Sequence, residues 1–310
     1  MAHNLNQLRV LAALLQQPNL TYVGQQLHLT QSAVSKVLAQ LRIEFNDPLL
    51  VRDGQRYLLS AKAQQLQQQL PQRLALLEEL YQPQQFDAQG CERRFVLASS
   101  DYVAEHIFPV IVEKVAQQAP LVRLEFQLWH KSQLSQMATT AVDLVSTIVD
   151  VAPENCCAIH QGQDGLVVLM DRRHPLAATP LTLADYLQAQ HLLISGGGDK
   201  DSLVDQALGL QGQQRYIRAQ VPFFSAATAL LANSQLLLTT PMHIAEQLCE
   251  PGQLCWQPLP FALPQQQYQL FWHQRHDSDL AHQWLRQLAL PCLQGHLQRK
   301  VAQGLAAKTT

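Results

Sequence analysis

The segment LTYVGQQLHLTQSAVSKVLAQLR, residues 20–42, constrains the chain most, because it holds two helical patterns separated only by His28 and Leu29. In the first, running from Thr21 to about Leu27, Val23 and Leu27 lie one turn apart. In the second, Thr30 offers a side-chain cap, and the residues after it divide cleanly on a wheel of about 100° per residue. Gln31, Ser32, Ser35, Lys36, Ala39 and Arg42 fall within one arc of about 140°, and Ala33, Val34, Val37, Leu38 and Leu41 fill another of similar width. One half of this helix must be buried and the other must face outward.

The flanking sequence completes a small domain. Upstream, NLNQLRVLAALLQQ places Leu5, Leu8, Leu11, Ala12 and Leu15 on a helical stripe with Asn4 as cap, broken at Pro18 and Asn19. Downstream, a stop at Asp47 and Pro48 precedes two short strand-like runs, Leu49 to Arg52 and Gln55 to Leu59. Asp53 and Gly54, a pair that tolerates positive φ, join them as a tight hairpin. Arg52 and Arg56 flank its tip, so the pattern predicts a winged helix-turn-helix. Charge agrees: residues 1–77 carry seven Lys/Arg against three Asp/Glu, and the remainder 15 against 21. A basic head on an acidic body suits a polyanion. Lys36, Arg52 and Arg56 can meet phosphates or a minor groove, while Gln31, Ser32 and Ser35 are of the size and chemistry that read base edges.

From Ser60 to about Tyr81 runs a Gln-rich helical segment with Leu66, Leu70, Leu74, Leu77 and Tyr81 at spacings of 4, 4, 3 and 4. These a/d-like intervals predict either pairing with a second copy, a dimerisation helix, or packing back onto the head. Pro71 should bend it. The run PQQFDAQG, residues 83–90, reads as a hinge. From residue 91 strand and helix patterns alternate: RFVLASS, a helix over Val103 to Gln118, LVRLEFQLW, a helix near Ser132 to Thr139, VDLVSTIV, LVVLM, a helix near Leu183 to Gln188, HLLIS, helices through Ser202 to Leu208 and Ser225 to Ala232, QLLLTT, YQLFWH, and a last helix over Asp279 to Leu288. This predicts an α/β region with a mostly parallel sheet, large enough for two lobes with a ligand crevice between them.

No apolar run approaches the roughly 18 to 20 residues of a membrane helix, and LRVLAALL has neither the basic flank nor the cleavage pattern of a signal core, so a cytoplasmic protein is expected. The six cysteines are scattered without CxxC or zinc-finger spacing, which predicts no metal and no disulfide framework.

LTYVGQQLHLTQSAVSKVLAQLR, FNDPLLVRDG and the tail YQLFWHQRHDSDLAHQWLRQL together resemble the LysR-type transcriptional regulators, and most closely their nodulation-regulator-like branch. The resemblance implies an N-terminal all-α winged helix-turn-helix with a long linker helix, followed by an α/β effector domain of two Rossmann-like lobes, type 2 periplasmic-binding-protein-like. The expected domains are the winged head at 1–59, the linker helix at 60–82, the hinge at 83–90 and the effector domain at 91–310. Within the last, lobe I covers about 91–164 and 267–295 and lobe II about 165–266. By position, Thr30, Gln31, Ser32, Ser35 and Lys36 match the family's recognition-helix contacts, and Arg52 matches its wing arginine. Double-stranded DNA, a homodimer or homotetramer through Leu66, Leu70, Leu74 and Leu77, and a small-molecule co-inducer of unknown identity are the implied partners. Val23 and Gly24 depart from the family's usual two alanines, and Gly24 should cost the second helix about 1 kcal/mol. The loop GGGD at 196–199 is richer in glycine than usual.

For the effector, Ser99, Ser100 and Asp101 end the first strand at a helix start, either an ordinary cap or an anion-accepting loop. Ser195, Gly196, Thr239 and Thr240 occupy comparable strand ends. Phe223 and Phe224 either line the same crevice or belong to the core. Few basic residues fall near these loops, so an organic anion is not strongly indicated. GGGDKDS matches neither GxxxxGK[ST] nor GxGxxG, no GxSxG occurs, and His174, His191 and His273 are isolated in sequence, so no enzyme emerges. The competing reading, a cytoplasmic small-molecule-binding protein or enzyme with an incidental helical head, has no motif in its support.

Overall fold

Asn4 accepts from the Asn6 N–H at 3.0 Å and starts α1, Leu5–Gln16; Asn19 accepts from Thr21 and Tyr22 and starts α2, Leu20–Gln26; the Thr30 hydroxyl accepts from Ala33 N–H at 3.2 Å and starts α3, Gln31–Phe45. Short polar side chains at each cap satisfy backbone donors that a helix start leaves unpaired. In this computed structural model the described residues are 4–54, 56–81, 85–149, 153–195 and 203–307, and the chain divides into two units, 1–84 and 85–310.

In the first unit, Leu11, Leu14, Leu15, Val23, Val34, Leu38 and Leu41 form one core, the buried halves of three amphipathic helices. Gly24 sits where α2 meets the turn: the Leu29 N–H donates to its carbonyl at 2.8 Å, and a Cβ there would lie only 2.8 Å from the Leu29 carbonyl oxygen. The glycine that sequence alone presents as a weakness is what permits this close approach. Asn46, in the left-handed region at φ 47°, ends α3. The wing pairs β1, Leu50–Asp53, with β2, Arg56–Leu59, in the register Asp53↔Arg56. That register moves the turn one residue later than the Asp53-Gly54 expectation, with Gly54 at φ 60°. Arg42 does not point away from the head: its Nε and Nη2 donate to the carbonyls of Pro48 and Leu50 at 2.8 and 2.7 Å, anchoring the approach to the wing.

Helix α4, Ala61–Glu79, is capped by Ser60 and contains Pro71. Leu66, Leu70 and Leu74 pack into the head core, so of the two expectations for this stripe, packing back onto the head accounts for these three residues within one chain. Gln67 Nε2 donates to the Leu15 carbonyl at 2.5 Å, and Arg9 pairs with Glu78 at 3.3 Å. Leu76, Leu77, Leu80 and Tyr81 are left exposed.

The second unit holds two five-stranded sheets. Its elements in order are β3 (Arg94–Ser99), α5 (Asp101–His106), α6 (Phe108–Gln118), β4 (Arg123–Leu128), β5 (Leu144–Ile148), β6 (Cys156–Asp164), β7 (Leu166–Asp171), α7 (Leu183–Gln188), β8 (Gln190–Ile194), α8 (Leu203–Gly209), β9 (Tyr216–Val221), α9 (Phe224–Leu231), β10 (Leu236–Pro241), α10 (Met242–Cys249), β11 (Leu254–Pro258), β12 (Gln266–His273) and α11 (Leu280–Ala307). The strand orders are β4-β3-β5-β12-β6 and β11-β7-β10-β8-β9. The sheets are mixed, correcting the mostly parallel expectation: β12 runs antiparallel to β5 and β6, and β7 antiparallel to β10 and β11. The β6–β7 and β11–β12 connections carry the chain between the sheets, and returning strands enter antiparallel. The single helix expected over Val103 to Gln118 is two, broken at Ile107 ahead of Pro109, and the helix near Ser132 to Thr139 is a short 3-10 segment, Lys131–Gln136.

The last helix extends far beyond its expected end near Leu288. Pro291 lies inside it, and the added turns pack on α10, where Lys300 Nζ pairs with Glu250 and Gly304 lets the helix come against Met242 and Glu246. One helix thus buries Leu285, Ala289 and Leu293 in the first lobe's core and braces the second.

Candidate functional site

Two surfaces carry the sequence's candidate residues. On the head, Thr30, Gln31, Ser32, Ser35 and Lys36 all lie on the exposed face of α3, opposite buried Val34, Leu38 and Leu41. The Thr30 and Ser32 hydroxyls lie 2.9 Å apart, which fixes the first turn, while Gln31, Ser35 and Lys36 project from it. Arg52 and Arg56 are exposed on the wing, with Arg52 Nε donating to the Gly54 carbonyl at 3.2 Å. Short polar side chains on an exposed helix face beside a basic hairpin can meet a groove and its flanking phosphates.

The second surface is a cleft of about 960 Å³, partly open to solvent, between the two sheets of the α/β unit. Ser99, Ser100, Thr239 and Thr240 line it, as strand-end residues should. Ser99 Oγ donates to the Ser146 carbonyl at 2.7 Å. Asp101 does not line the cleft: its Oδ2 accepts from the Phe224 N–H at 2.6 Å, tying α5 to the start of α9 across the lobes. Phe224, buried, lines the wall, and Phe223, 41% exposed, does not. Ser195 also lies off the wall, its N–H donating to the Val221 carbonyl at 2.9 Å. Gly196 and the GGGD loop fall outside the described residues.

Several lining residues went unread in the sequence. Arg215, 8% exposed, sits just before β9 and is met by Asp205 through Nε–Oδ1 at 2.7 Å and Nη2–Oδ2 at 2.9 Å; its Nη1 faces the Tyr186 hydroxyl at 3.4 Å. Tyr186 in turn bonds Thr239 Oγ1 at 2.7 Å. His243 meets the fully buried Asp164 carboxylate through its backbone N–H at 2.8 Å and Nδ1 at 2.6 Å. Tyr102, carried on α5 yet buried in the second lobe's core, has its hydroxyl 2.6 Å from His296 Nε2 and donates to the His243 carbonyl at 3.3 Å. Burial, helped by the Glu250 and Asp164 carboxylates, raises the Tyr102 phenol well above its ordinary range. Burial and the neighbouring His243, Arg299 and Lys300 hold His296 down to about 4, so it is neutral at pH 7.

At the cleft floor, Gln161 on β6 is 4% exposed and accepts from Ser146 Oγ at 3.1 Å through Oε1, and Thr240 at the end of β10 is 2% exposed. Gln161 Nε2 and Thr240 Oγ1 have no hydrogen-bond partner among the described residues. The rest of the wall is mostly apolar, including Val103, Ile148, Leu166, Ile194 and Leu293, with Thr147, Gln266 and Tyr268 as further polar members. Such a site suits a small, largely apolar molecule with few polar atoms.

Among the described residues no group of three or more His, Cys, Asp or Glu could hold a metal, and no helix is long and apolar enough to cross a membrane. Burial raises the thiols of Cys156, Cys157, Cys249 and Cys255, Cys249 to about 12, which leaves them poor nucleophiles at neutral pH.

Comparison with known proteins bears on both surfaces. Residues 5–64 match the family described as "Bacterial regulatory helix-turn-helix protein, lysR family", and residues 88–291 match "LysR substrate binding domain". The chain is 32% identical to the transcriptional activator NahR of Pseudomonas putida over 92% of this chain and 96% of NahR. It is 25% identical to nodulation protein D 2 of Rhizobium tropici over 93% and 92%. Among solved structures, the regulatory domain of MexT, a transcriptional activator in Pseudomonas aeruginosa, matches at 25% identity and a TM-score of 0.56, covering 64% of this chain and 98% of that one. A full-length OxyR variant from the same organism shares the fold at 15% identity and a TM-score of 0.63, covering 94% and 100%.

Proposed function

Because this chain belongs to the LysR family of transcriptional regulators, with a helix-turn-helix for DNA and an effector-binding domain, we propose that α3 and the wing are the surfaces that read its operator and that the interlobe cleft holds its effector. Gln31, Ser32 and Ser35 contact base edges, Thr30 fixes the helix start against the backbone, Lys36 meets a guanine or phosphate, and Arg52 and Arg56 reach phosphates or a minor groove. The observation that carries this reading is the division of α3 itself: Val34, Leu38 and Leu41 are buried, and all five polar candidates stand exposed on the other face.

In the cleft, an effector touching Ser99 and Ser100 from one lobe and Thr239 and Thr240 from the other changes the relative stability of open and closed lobes. Coupled to DNA through the oligomer, that shift alters promoter binding. NahR and MexT are activators, which favours activation as the sign of regulation here. The assembly is a homodimer or homotetramer in the cytoplasm. With Leu66, Leu70 and Leu74 occupied by the head, the exposed Leu76, Leu77, Leu80 and Tyr81 are the apolar face available to a second copy. Gel-shift titration on the DNA beside its own gene tests the reading: salt-sensitive binding that Lys36→Ala and Arg52→Ala weaken, with the helical signal retained, supports it, and no binding at low salt refutes it.

A further inference from the structure

A ligand class follows from the polar groups at the cleft floor, and the inference rests on the reading of the cleft as the effector site. Two groups there, Gln161 Nε2 and Thr240 Oγ1, are more than nine-tenths buried yet have no partner among the described residues. Each can donate a hydrogen bond, and a buried donor left unmet is costly enough that folded proteins rarely tolerate it. Gln161 Oε1 accepts from Ser146 Oγ, and in that orientation its NH₂ meets no partner among the described residues and is left for a ligand.

Charge decides between an acceptor that is neutral and one that is anionic. The lining cation Arg215 is met by both oxygens of Asp205, and the lining His243 by Asp164. A carboxylate entering the floor would find the Arg215 guanidinium already paired with Asp205 and would come close to the buried Asp164 carboxylate beside His243. It would lose hydration without gaining a counter-ion of its own. A carbonyl oxygen asks only for the two donors that are waiting.

We propose that the effector is an uncharged, mostly apolar molecule whose carbonyl-type oxygen accepts hydrogen bonds from Gln161 Nε2 and Thr240 Oγ1, and that the site selects it over the corresponding carboxylate. Gln161 and Thr240 are then the specificity-determining residues of the cleft; Thr240 is one of the strand-end candidates of the sequence, and Gln161 is not.

Three probes of matched shape test this by calorimetry on the full chain at pH 7.5: 2-acetonaphthone, 2-naphthoate and naphthalene. The ketone binds at least about tenfold more tightly than either of the others, and Gln161→Leu and Thr240→Val each weaken it about tenfold. Gln161→Glu, which replaces the donor by an anionic acceptor, abolishes that preference. Unliganded melting temperatures report whether each variant is folded, and the wild-type comparison needs no variant. Naphthoate binding as tightly as the ketone, naphthalene matching it, equal binding in both neutral variants, or no binding of any probe overturns the proposal. Gel shifts of the wild type without probe keep the two readings apart: loss of DNA binding there refutes the regulator surface and leaves the calorimetric result standing on its own.

Discussion

Replacing Gly24 by alanine pits two effects of opposite sign against each other. Helix propensity alone predicts a gain of about 1 kcal/mol, because glycine in a helix interior loses more backbone entropy than alanine. The structure predicts a loss. A Cβ would lie 2.8 Å from the Leu29 carbonyl oxygen, and since ordinary contacts begin at 3.4 Å, the turn would have to open by about 0.6 Å. Leu29 also donates back to the Gly24 carbonyl at 2.8 Å, so opening the turn stretches a bond that joins α2 to the cap of α3. Overpacking of this kind costs about 1 to 3 kcal/mol, which outweighs the propensity gain in most of that range. The expected net destabilisation is about 1 kcal/mol, a fivefold shift toward local opening. Because α3 is tilted by the same movement, operator affinity should fall with it. Hydrogen exchange of the α2 and α3 amides in the full chain, with a parallel gel shift, measures both. Slower exchange in Gly24→Ala, with unchanged DNA affinity, would refute the argument.

Arg42→Ala should weaken DNA binding although Arg42 reaches no DNA in this account: losing its bonds to the Pro48 and Leu50 carbonyls frees the wing, at about 1 to 3 kcal/mol, and faster exchange in β1 and β2 would separate this from loss of a phosphate contact. Acid should destabilise the α/β unit above the range where carboxylates titrate. Burial holds His191, His282 and His296 at about 4 in the folded chain, so below the unfolded value near 6.5 the unfolded state takes up protons that the folded state does not. Stability should be full above about pH 6.5, fall by on the order of 2 kcal/mol per group by pH 5, and level off below about pH 4. An unchanged urea midpoint between pH 7 and pH 5 would contradict this. Leu76→Lys with Leu80→Lys should lower the mass in solution measured by light scattering, whereas Leu70→Ala should instead unfold the head by about 2 to 5 kcal/mol, because Leu70 is 7% exposed within its core.

The head was legible because its signals are local. Asn4, Asn19 and Thr30 sit at the helix starts, Pro18 and Pro48 at the breaks, and the buried Val34, Leu38 and Leu41 of α3 recur at helical spacing within one short segment. The hairpin turn slipped by one residue because Asp53 and Gly54 both tolerate a turn, and only the pairing of Asp53 with Arg56 decides between them. The effector unit was legible as strand and helix alternation but not in detail. Strands β6, β9 and β11 went unread: β6 places Gln161 and Asp164, buried polar groups, where an apolar alternation would have marked it. The last helix was expected to end near Leu288, yet α11 runs through Pro291, and its later turns find an ionic partner in Glu250 and a close apolar approach to Met242 at α10. Arg215, Gln161 and His243 carry no motif, and only the meeting of strands distant in sequence brings them to one wall. Asp101 and Phe223 fell near that wall by position, but one is spent on a backbone N–H of the other lobe and the other points outward.

In the proposed reading, the exposed stripe of α3 reads base sequence. Its most direct test is equilibrium binding of the wild type and of Gln31→Ala with Ser35→Ala to the promoter beside its own gene and to scrambled DNA of the same composition, each over a range of salt. The wild type should prefer the promoter by at least about a thousandfold, and the double variant should lose most of this preference while its binding to scrambled DNA and its salt dependence stay the same. Equal preference for the promoter in the wild type and the double variant would contradict it.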